Sequence, residues 1–433
     1  MIASNSRKTL LQNFLTLKKI STDTRSIDQG SIFFALKGAN FNGNTFALKA
    51  LDMGAAIAVV DDPSLPDNDK LVKVDDVLVA MQNLATDYRS TLTATVIALT
   101  GSNGKTTTKE LLSRVLAAAF KVHATKGNLN NHIGVPITLL TAPSDADFVI
   151  VEMGANHQQE IALLAKITMP DAGFINNVGL AHIEGFGGFE GVKKGKGELY
   201  DHLKEHNQLV FVNGDNPHLS AMLQERNLSA VSYGSNPRFE AVGKIAIEQP
   251  FLTVAWQDGG HEWMIHSKLT GAYNFENIMA AVCIGKYYEV KPASIVAAIS
   301  TYEPDNSRSQ VIKKGNHTII LDAYNANPTS MQAALLNLQA LEATHKVVFL
   351  GQMAELGTQS LEEHQKIVDV LENMQLYKAI LVGEYFSACK IPSHFIVTND
   401  SKTAANYFTA LPLTALTILI KGSRSSKMEW VLG

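Results

Sequence analysis

Three separated stretches carry side chains whose chemistry fits together. The first is Gly101-Ser102-Asn103-Gly104-Lys105-Thr106-Thr107, preceded by the apolar run Thr95–Thr100 and followed by a helical pattern to about Phe120. A strand, a glycine-rich turn and a helix in that order converge backbone N–H groups on an anion, and the helix start adds partial positive charge. Lys105 is then placed to reach the outer phosphates of a nucleotide, and the Thr106 hydroxyl to ligate Mg²⁺. The Gly-x-x-Gly-Lys-Thr spacing is shorter than the common phosphate-loop form, and a surface turn of small residues is the plain alternative. The second stretch is the apolar run Phe148–Val151 ending in Glu152. A carboxylate leaving a parallel strand at its C-terminal end points into the ligand crevice, which makes Glu152 a candidate Mg²⁺ ligand. His182 follows the run Ala172–Asn176 and falls at the same end of the sheet by topology; alone it reads as an ordinary structural or surface histidine. The third stretch, Gly191–Tyr200, brings Lys193, Lys194 and Lys196 close together, and by charge alone it is a solvated basic helix face.

Holding these groups in register requires a mostly parallel sheet. Short apolar runs at Thr95–Thr100, Phe148–Val151, Ala172–Asn176, Leu209–Asn213 and Ala230–Tyr233 alternate with helical patterns, as right-handed crossovers demand. Residues 239–267 break that rhythm with period-2 alternation around Asp258-Gly259-Gly260 and predict an antiparallel hairpin. Helices are expected at Asn274–Tyr287 and Pro292–Ser300. Before this block, residues 1–90 predict strands at Ser31–Leu36 and Ala55–Val60 and helices at Phe46–Met53 and Val77–Tyr88. After it, the polar stretch 302–307 suggests a boundary near Arg308. Residues 308–433 then predict a small doubly wound domain with strands at Thr318–Asp322, Val347–Leu350, Ala379–Val382 and Thr417–Ile420. The expected domains are therefore 1–90, 91–307 and 308–433.

Two further groups border these elements. Asn274 and Asn277 carry amides able to pair with the donor and acceptor edge of adenine, while a helix N-cap at Asn274 is the simpler reading. Arg308 suits charge neutralisation on a terminal phosphate, and Asp322-Ala323-Tyr324-Asn325-Ala326-Asn327-Pro328 follows the first strand of the last block.

The short loop Thr-Gly-Ser-Asn-Gly-Lys-Thr-Thr, with the segments around Glu152, His182 and Asp322–Pro328, resembles the Mur ligases. These are ATP-dependent amide-forming enzymes of peptidoglycan precursor synthesis, related to the folylpolyglutamate synthases. The resemblance runs through all three blocks and is nearest to the members that add D-alanyl-D-alanine to UDP-N-acetylmuramoyl-tripeptide. It implies an α/β protein of three domains: a central P-loop parallel-sheet ATPase domain, an N-terminal α/β uridine-nucleotide domain and a C-terminal Rossmann-like domain.

For the site, the resemblance implies Lys105, Lys196 and His182 as catalytic residues. It implies Thr106, Glu152, His182 and Lys196 around Mg²⁺, with Lys196 carbamylated so that a cation becomes an anionic oxygen ligand; Lys194 is the competing assignment. ATP would meet Gly101 through Thr107, Asn274, Asn277, Arg308, Asp322 on the ribose, and Asn325, with Asn327 bordering the phosphates and substrate. Tyr273 stands where the family usually has His before the first asparagine, and Gln352 replaces the usual acid in Gly351-Gln352-Met353. Thr24, Arg25, Lys37, Gly38, Asn42 and Gly43 would hold the uridine diphosphate, and Asn130 and Asn131 would lie near the acceptor carboxylate. Glu355 and His364 are candidates to orient the incoming amine, or else ordinary surface residues.

Composition narrows the alternatives. With 433 residues, 46% hydrophobic and 18% charged, the chain reads as globular and multidomain. A net charge of -4 argues against nucleic-acid binding through bulk charge. The only cysteines, Cys283 and Cys389, rule out a disulfide framework and fit a reducing compartment. The opening residues Met1–Arg7 lead into an amphipathic stretch rather than a signal peptide, and no apolar run is long enough for a transmembrane segment. A cytoplasmic monomer is expected. The rival readings are an adjacent Mur step, a folylpolyglutamate synthase-like ligase, and a nucleotide-binding regulator without ligase activity.

Overall fold

The computed structural model describes residues 2–305, 307–412 and 414–433, with side chains from Arg7 onward. Asn306, within the polar stretch expected to mark a boundary, lies outside the described residues.

In the N-terminal block, Ile20–Ser21, Ile32–Phe34, Ile57–Val60 and Leu71–Lys73 form a four-stranded parallel sheet in that spatial order. The helix Val77–Arg89 starts where Asp76 accepts from the backbone N–H of Val79, satisfying a first-turn donor. Its far end is pinned to the next block: the Tyr88 hydroxyl donates to Ala142 O at 2.8 Å, and Arg89 pairs with Asp171 at 2.7 Å.

The central sheet has nine strands. Across it the order is His261–His266, Thr253–Asp258, Ala241–Ile247, Val231–Gly234, Leu209–Asn213, Ala172–Ile175, Thr95–Thr100, Phe148–Glu152 and Val122–Ala124. Thr95–Thr100 is buried along nearly its whole length because both faces are covered. Val96 and Ala98 enter one apolar cluster, and Ile97 and Leu99 enter the other. The chain reaches Phe148–Glu152 on one side of this strand and Ala172–Ile175 on the other, which opens a crevice at their shared carboxyl end. The expected hairpin is larger than the alternation indicated. Ala241–Ile247 pairs parallel to Val231–Gly234 and antiparallel to Thr253–Asp258, so three strands extend the sheet. Gly243 and Lys244 interrupt its apolar character, which hid it in the pattern.

The third block holds six strands in the order Gln310–Lys314, His317–Asp322, Thr417–Lys421, Lys346–Gly351, Lys378–Val382 and Ile396–Thr398. All pairs are parallel except the first, an unanticipated hairpin whose edge strand ends in two exposed lysines. Among the described residues no helix is long and apolar enough to cross a membrane.

Candidate active site

The loop after Thr100 is shaped by two glycines and one asparagine. Gly101 and Gly104 have φ of 154° and 77°, and a Cβ on Gly104 would lie 2.4 Å from Asn277 Oδ1. Asn177 then takes two successive loop donors, Ser102 N–H to its backbone oxygen at 3.0 Å and Asn103 N–H to Oδ1 at 2.9 Å. Lys105 opens the helix Lys105–Ala117 and folds back to donate to Gly101 O at 2.6 Å. Burial, with Arg308 adding to it and Glu152 opposing, brings its amine down to about 8. A cation held against a neutral carbonyl in such a place is ready for anionic oxygen.

Behind the loop, the Thr106 hydroxyl donates to Glu152 Oε2 at 2.8 Å, and Asn130 Nδ2 donates to Oε1 at 2.8 Å. Glu152 is 1% exposed, and its own N–H donates to Thr125 Oγ1. A buried carboxylate touching a threonine hydroxyl is an all-oxygen donor pair, and it fits a hard cation such as Mg²⁺. His182 borders the same cleft but does not join that pair. With φ of 54° it turns its Nδ1 onto Glu355 of the third block, and this contact holds the Glu355 carboxyl below the usual range. Among the described residues no three His, Cys, Asp or Glu side chains gather as a metal cluster.

The three lysines of Gly191–Tyr200 have different fates. Lys194 is exposed, and Lys193 pairs with Glu190 at 2.7 Å. Lys196 is 1% exposed, donates at 3.3 Å to the backbone oxygen of Ala155, and lies 5.2 Å from the centre of the Phe186 ring. Burial, and Lys105 after it, push its amine well below the ordinary lysine range. Its nearby acid Glu198 is engaged elsewhere, accepting the N–H groups of Gln159 and Ala162. Glu160 is likewise engaged, by the N–H groups of Asn156 and His157, so among the described residues Lys196 is a buried amine with no carboxylate paired to it, behind the cleft wall that Ala155 lines.

The cleft itself measures ≈ 870 Å³ and is lined by both blocks, including Lys105, Glu152, His182, Arg308, Asp322 and Asn325. Asn274 and Asn277 are buried and internally bonded. Asn277 Nδ2 donates to Asn274 Oδ1 and Asn274 Nδ2 to Thr270 O, both at 2.8 Å. Asn277 Oδ1 accepts from Thr108 on the phosphate-loop helix at 2.9 Å. Asn274 is the first residue of its helix and Tyr273 the cap, without a side-chain capping bond, so the N-cap alternative for Asn274 does not hold. Tyr273 reaches the third block instead, its hydroxyl 2.8 Å from Ser309 Oγ. Arg308 stacks over Tyr324, guanidinium to ring centre 3.7 Å, and Asp322 pairs with the buried Lys421. Asn327 caps the helix Pro328–Ala340 and sends Nδ2 to Asn103 Oδ1 at 2.8 Å, which puts the third block directly on the phosphate loop.

Not all expected residues meet there. Lys37–Gly38 and Phe41–Asn42 form a small antiparallel pair leading into Gly43, away from the cleft, and Lys37 bonds Asp61 at 2.9 Å. Thr24 and Arg25 sit on a separate turn, where Arg25 pairs with Asp23. His364 is fully buried; its Nε2 accepts from Met353 N–H and its Nδ1 faces Ser360 O, so it braces the 351–357 loop and has no nitrogen left for an incoming amine. Asn131 lines the cleft, and its Oδ1 accepts from the N–H of Ile133 and Gly134. The lining also includes residues not singled out from sequence, among them Asn177, Asn216 and Glu276. Asn177 directly follows the run Ala172–Asn176 and Glu276 lies between Asn274 and Asn277, so position beside a marked residue was the available signal.

Known proteins supply an independent view. Residues 16–89 match the catalytic domain of the Mur ligase family, residues 99–285 the Mur ligase middle domain, and residues 307–424 the Mur ligase glutamate ligase domain. The UDP-N-acetylmuramoyl-tripeptide–D-alanyl-D-alanine ligase of Bacillus subtilis (strain 168) is 33% identical over 433 residues, covering 95% of this chain and 92% of that protein. The ligase of the same name from Escherichia coli (strain K12) is 34% identical over 429 residues, covering 96% and 93%. The crystal structure of MurF from Acinetobacter baumannii superposes with a TM-score of 0.86 at 30% identity, over 96% of this chain and 92% of that one.

Proposed function

The chain belongs to the Mur ligase family and is an ATP-dependent ligase of peptidoglycan precursors, and from that premise we propose that it joins D-alanyl-D-alanine to UDP-N-acetylmuramoyl-tripeptide. In this reading residues 1–90 hold the uridine nucleotide, 91–307 bind ATP and 308–433 present the dipeptide amine, in the cytoplasm. The observation that carries it is the meeting of Lys105, the Thr106–Glu152 pair and the third-block residue Asn327 in one cleft.

A carboxylate does not condense with an amine in neutral water unless an oxygen is first made a leaving group. The phosphate loop binds the triphosphate through its N–H groups, and Lys105 leaves Gly101 O to neutralise the outer phosphate as the acceptor carboxylate attacks it. Thr106 and Glu152 are the residues that would hold Mg²⁺, whose charge screens the converging phosphate and carboxylate oxygens. Lys196, whose amine burial favours in the uncharged form, is open to carbamylation by CO₂ and would then present oxygen donors to the same side. Arg308 and Asn327 close the third block over the phosphates and exclude water from the acyl phosphate until the amine displaces phosphate.

The test is ADP release by the full chain with UDP-N-acetylmuramoyl-tripeptide and ATP, with and without D-alanyl-D-alanine. Release that requires the dipeptide supports the proposal. Release that requires a single amino acid instead assigns the chain to another Mur step.

A further inference from the structure

Glu276 lines the cleft from the first turn of the helix Asn274–Tyr287, and its two carboxylate oxygens are both engaged by amides from other parts of the sheet edge. Asn177 Nδ2 donates to Oε1 in a short contact, and Asn213 Nδ2 donates to Oε2 at 3.4 Å. The other end of the Asn177 amide accepts the Asn103 N–H of the phosphate loop at 2.9 Å. A backbone N–H only donates, so the atom of Asn177 that faces it must be the carbonyl oxygen, and the atom that faces Glu276 must be the NH₂. An ionised carboxylate accepts only, and it therefore permits that orientation and opposes the flipped one.

We propose that Glu276 is a positioning residue for ATP: it fixes the side-chain amide of Asn177, and that amide fixes the phosphate loop at Asn103. The inference rests on the ligase reading above and adds a residue to it. The chain of contacts has a further consequence. Asn103 passes the constraint on through Oδ1, which accepts from Asn327 of the third block at 2.8 Å. The loop is thus held between Glu276 on one side and the closing domain on the other.

Protonating Glu276 would replace one acceptor with an O–H donor and leave two donors opposed at one of the amides. Burial raises this carboxyl to about 7, against the two amide contacts, which lower it. Facing it are the neutral amides of Asn177 and Asn213, and the buried Tyr233, whose phenol is kept protonated by burial and by Glu276 itself. The shared cleft also carries the charged or titratable side chains of Lys105, Glu152, Glu160, His182, Arg308, Asp322 and Lys421. The loop-holding form of Glu276 is ionised, so the constraint is present above about pH 7 and lost as pH falls through that value.

Glu276→Gln keeps one acceptor oxygen and sets an NH₂ against the donor of one of the two amides, as protonation does. In steady-state kinetics of the full chain it should raise KM for ATP roughly tenfold at pH 8, leave KM for the UDP-sugar acceptor unchanged, and leave a cooperative thermal melt. Asn177→Ala should raise KM for ATP similarly, and the double variant should do no more than either alone, because residues acting through one contact are not additive. Between pH 8 and 6 the ratio of variant to wild-type KM for ATP should fall towards one; the titration of ATP is common to both proteins and cancels. If wild type shows no ADP release with the acceptor and dipeptide, the ligase reading fails. If wild type is active and Glu276→Gln leaves KM for ATP within twofold, or the two substitutions multiply, the positioning role is overturned. If Glu276→Gln does not fold, Asn177→Ala decides alone: a raised KM for ATP supports the role and an unchanged one overturns it.

Discussion

The phosphate-loop cleft and the N-terminal turn are both built from asparagines and charged side chains, but their bonds have different reach. In the cleft Asn103 bonds Asn177, 74 residues on, and Asn327, 224 residues on, while Thr108 bonds Asn277 across 169. In the exposed N-terminal turn the Asp23 carboxylate takes the N–H and the guanidinium of Arg25, both across two residues. Local bonds form in almost any conformation of the surrounding chain. Distant ones exist only after the sheet has brought strand ends together, so the ordering entropy is met by the packing of the whole domain. The cleft is accordingly preorganised for a charged ligand, whereas the N-terminal turn is an exposed feature whose side chains are free to readjust.

That contrast ranks the expected effects of substitution. Lys105→Ala should lower the rate of ADP release by about 10²–10³-fold, as removal of a preorganised donor to developing charge does. Its contact in the structure is a carbonyl of its own loop, so the melting temperature should barely move. Near-normal turnover in this variant would take the loop out of the chemistry and break the comparison at its strongest point.

Lys196→Ala should cost about 10–100-fold in activity, the range seen when a group supporting a metal site is lost. A short-chain carboxylic acid entering the vacated space should restore part of it, since a free acid replaces oxygen donors but repairs no packing. Lys193→Ala, which loses a surface ion pair with Glu190 and a contact over the Phe189 ring, should stay close to wild type and show no rescue. ADP release at fixed ionic strength, with and without the acid, decides this; a fully active Lys196→Ala refutes the carbamate.

Asn327 sharpens the comparison because it does both kinds of work. Its Oδ1 caps its own helix at Ser330 N–H, and its Nδ2 reaches Asn103. Asn327→Ala loses both and should cost about 1 kcal/mol of stability along with ATP affinity. Asn327→Asp keeps the local cap and loses the distant donor, so denaturation should return to near wild type while KM for ATP stays raised. The smallest effect is expected at Arg25→Ala. It should leave both the melt and KM for ATP unchanged and raise KM for the UDP-sugar acceptor; an unchanged acceptor KM would remove Arg25 from the nucleotide-sugar site.

Much of the scaffold was readable before folding. Thr95–Thr100, Leu209–Asn213, Asn274–Tyr287 and Pro292–Ser300 match their expected limits, because continuous apolar runs and helical periodicity are local properties. The strand Gln310–Lys314 is not legible in the pattern because an edge strand held by one antiparallel partner needs only a short apolar pair, here Val311 and Ile312, among polar residues. Of the cleft, Lys105, Thr106 and Glu152 were legible, since a loop after one strand and an acid after its neighbour must fall at the same sheet edge. Glu276 and Asn177 were not, because nothing in their spacing says that one orients the other.

The sequence by itself determined the alternation of strands and helices and the residue types at the strand ends, since backbone geometry and hydrophobic period act over a few residues. Only the tertiary structure decided which of three neighbouring lysines is buried. Lys193, Lys194 and Lys196 share one helix, and it is the packing of that helix that leaves Lys194 in water and encloses Lys196 behind Ala155. It also decided that His182 faces Glu355, a partner 173 residues away. Charge state and ligand chemistry depend on desolvation and on neighbours, and both are properties of the folded surface rather than of the chain.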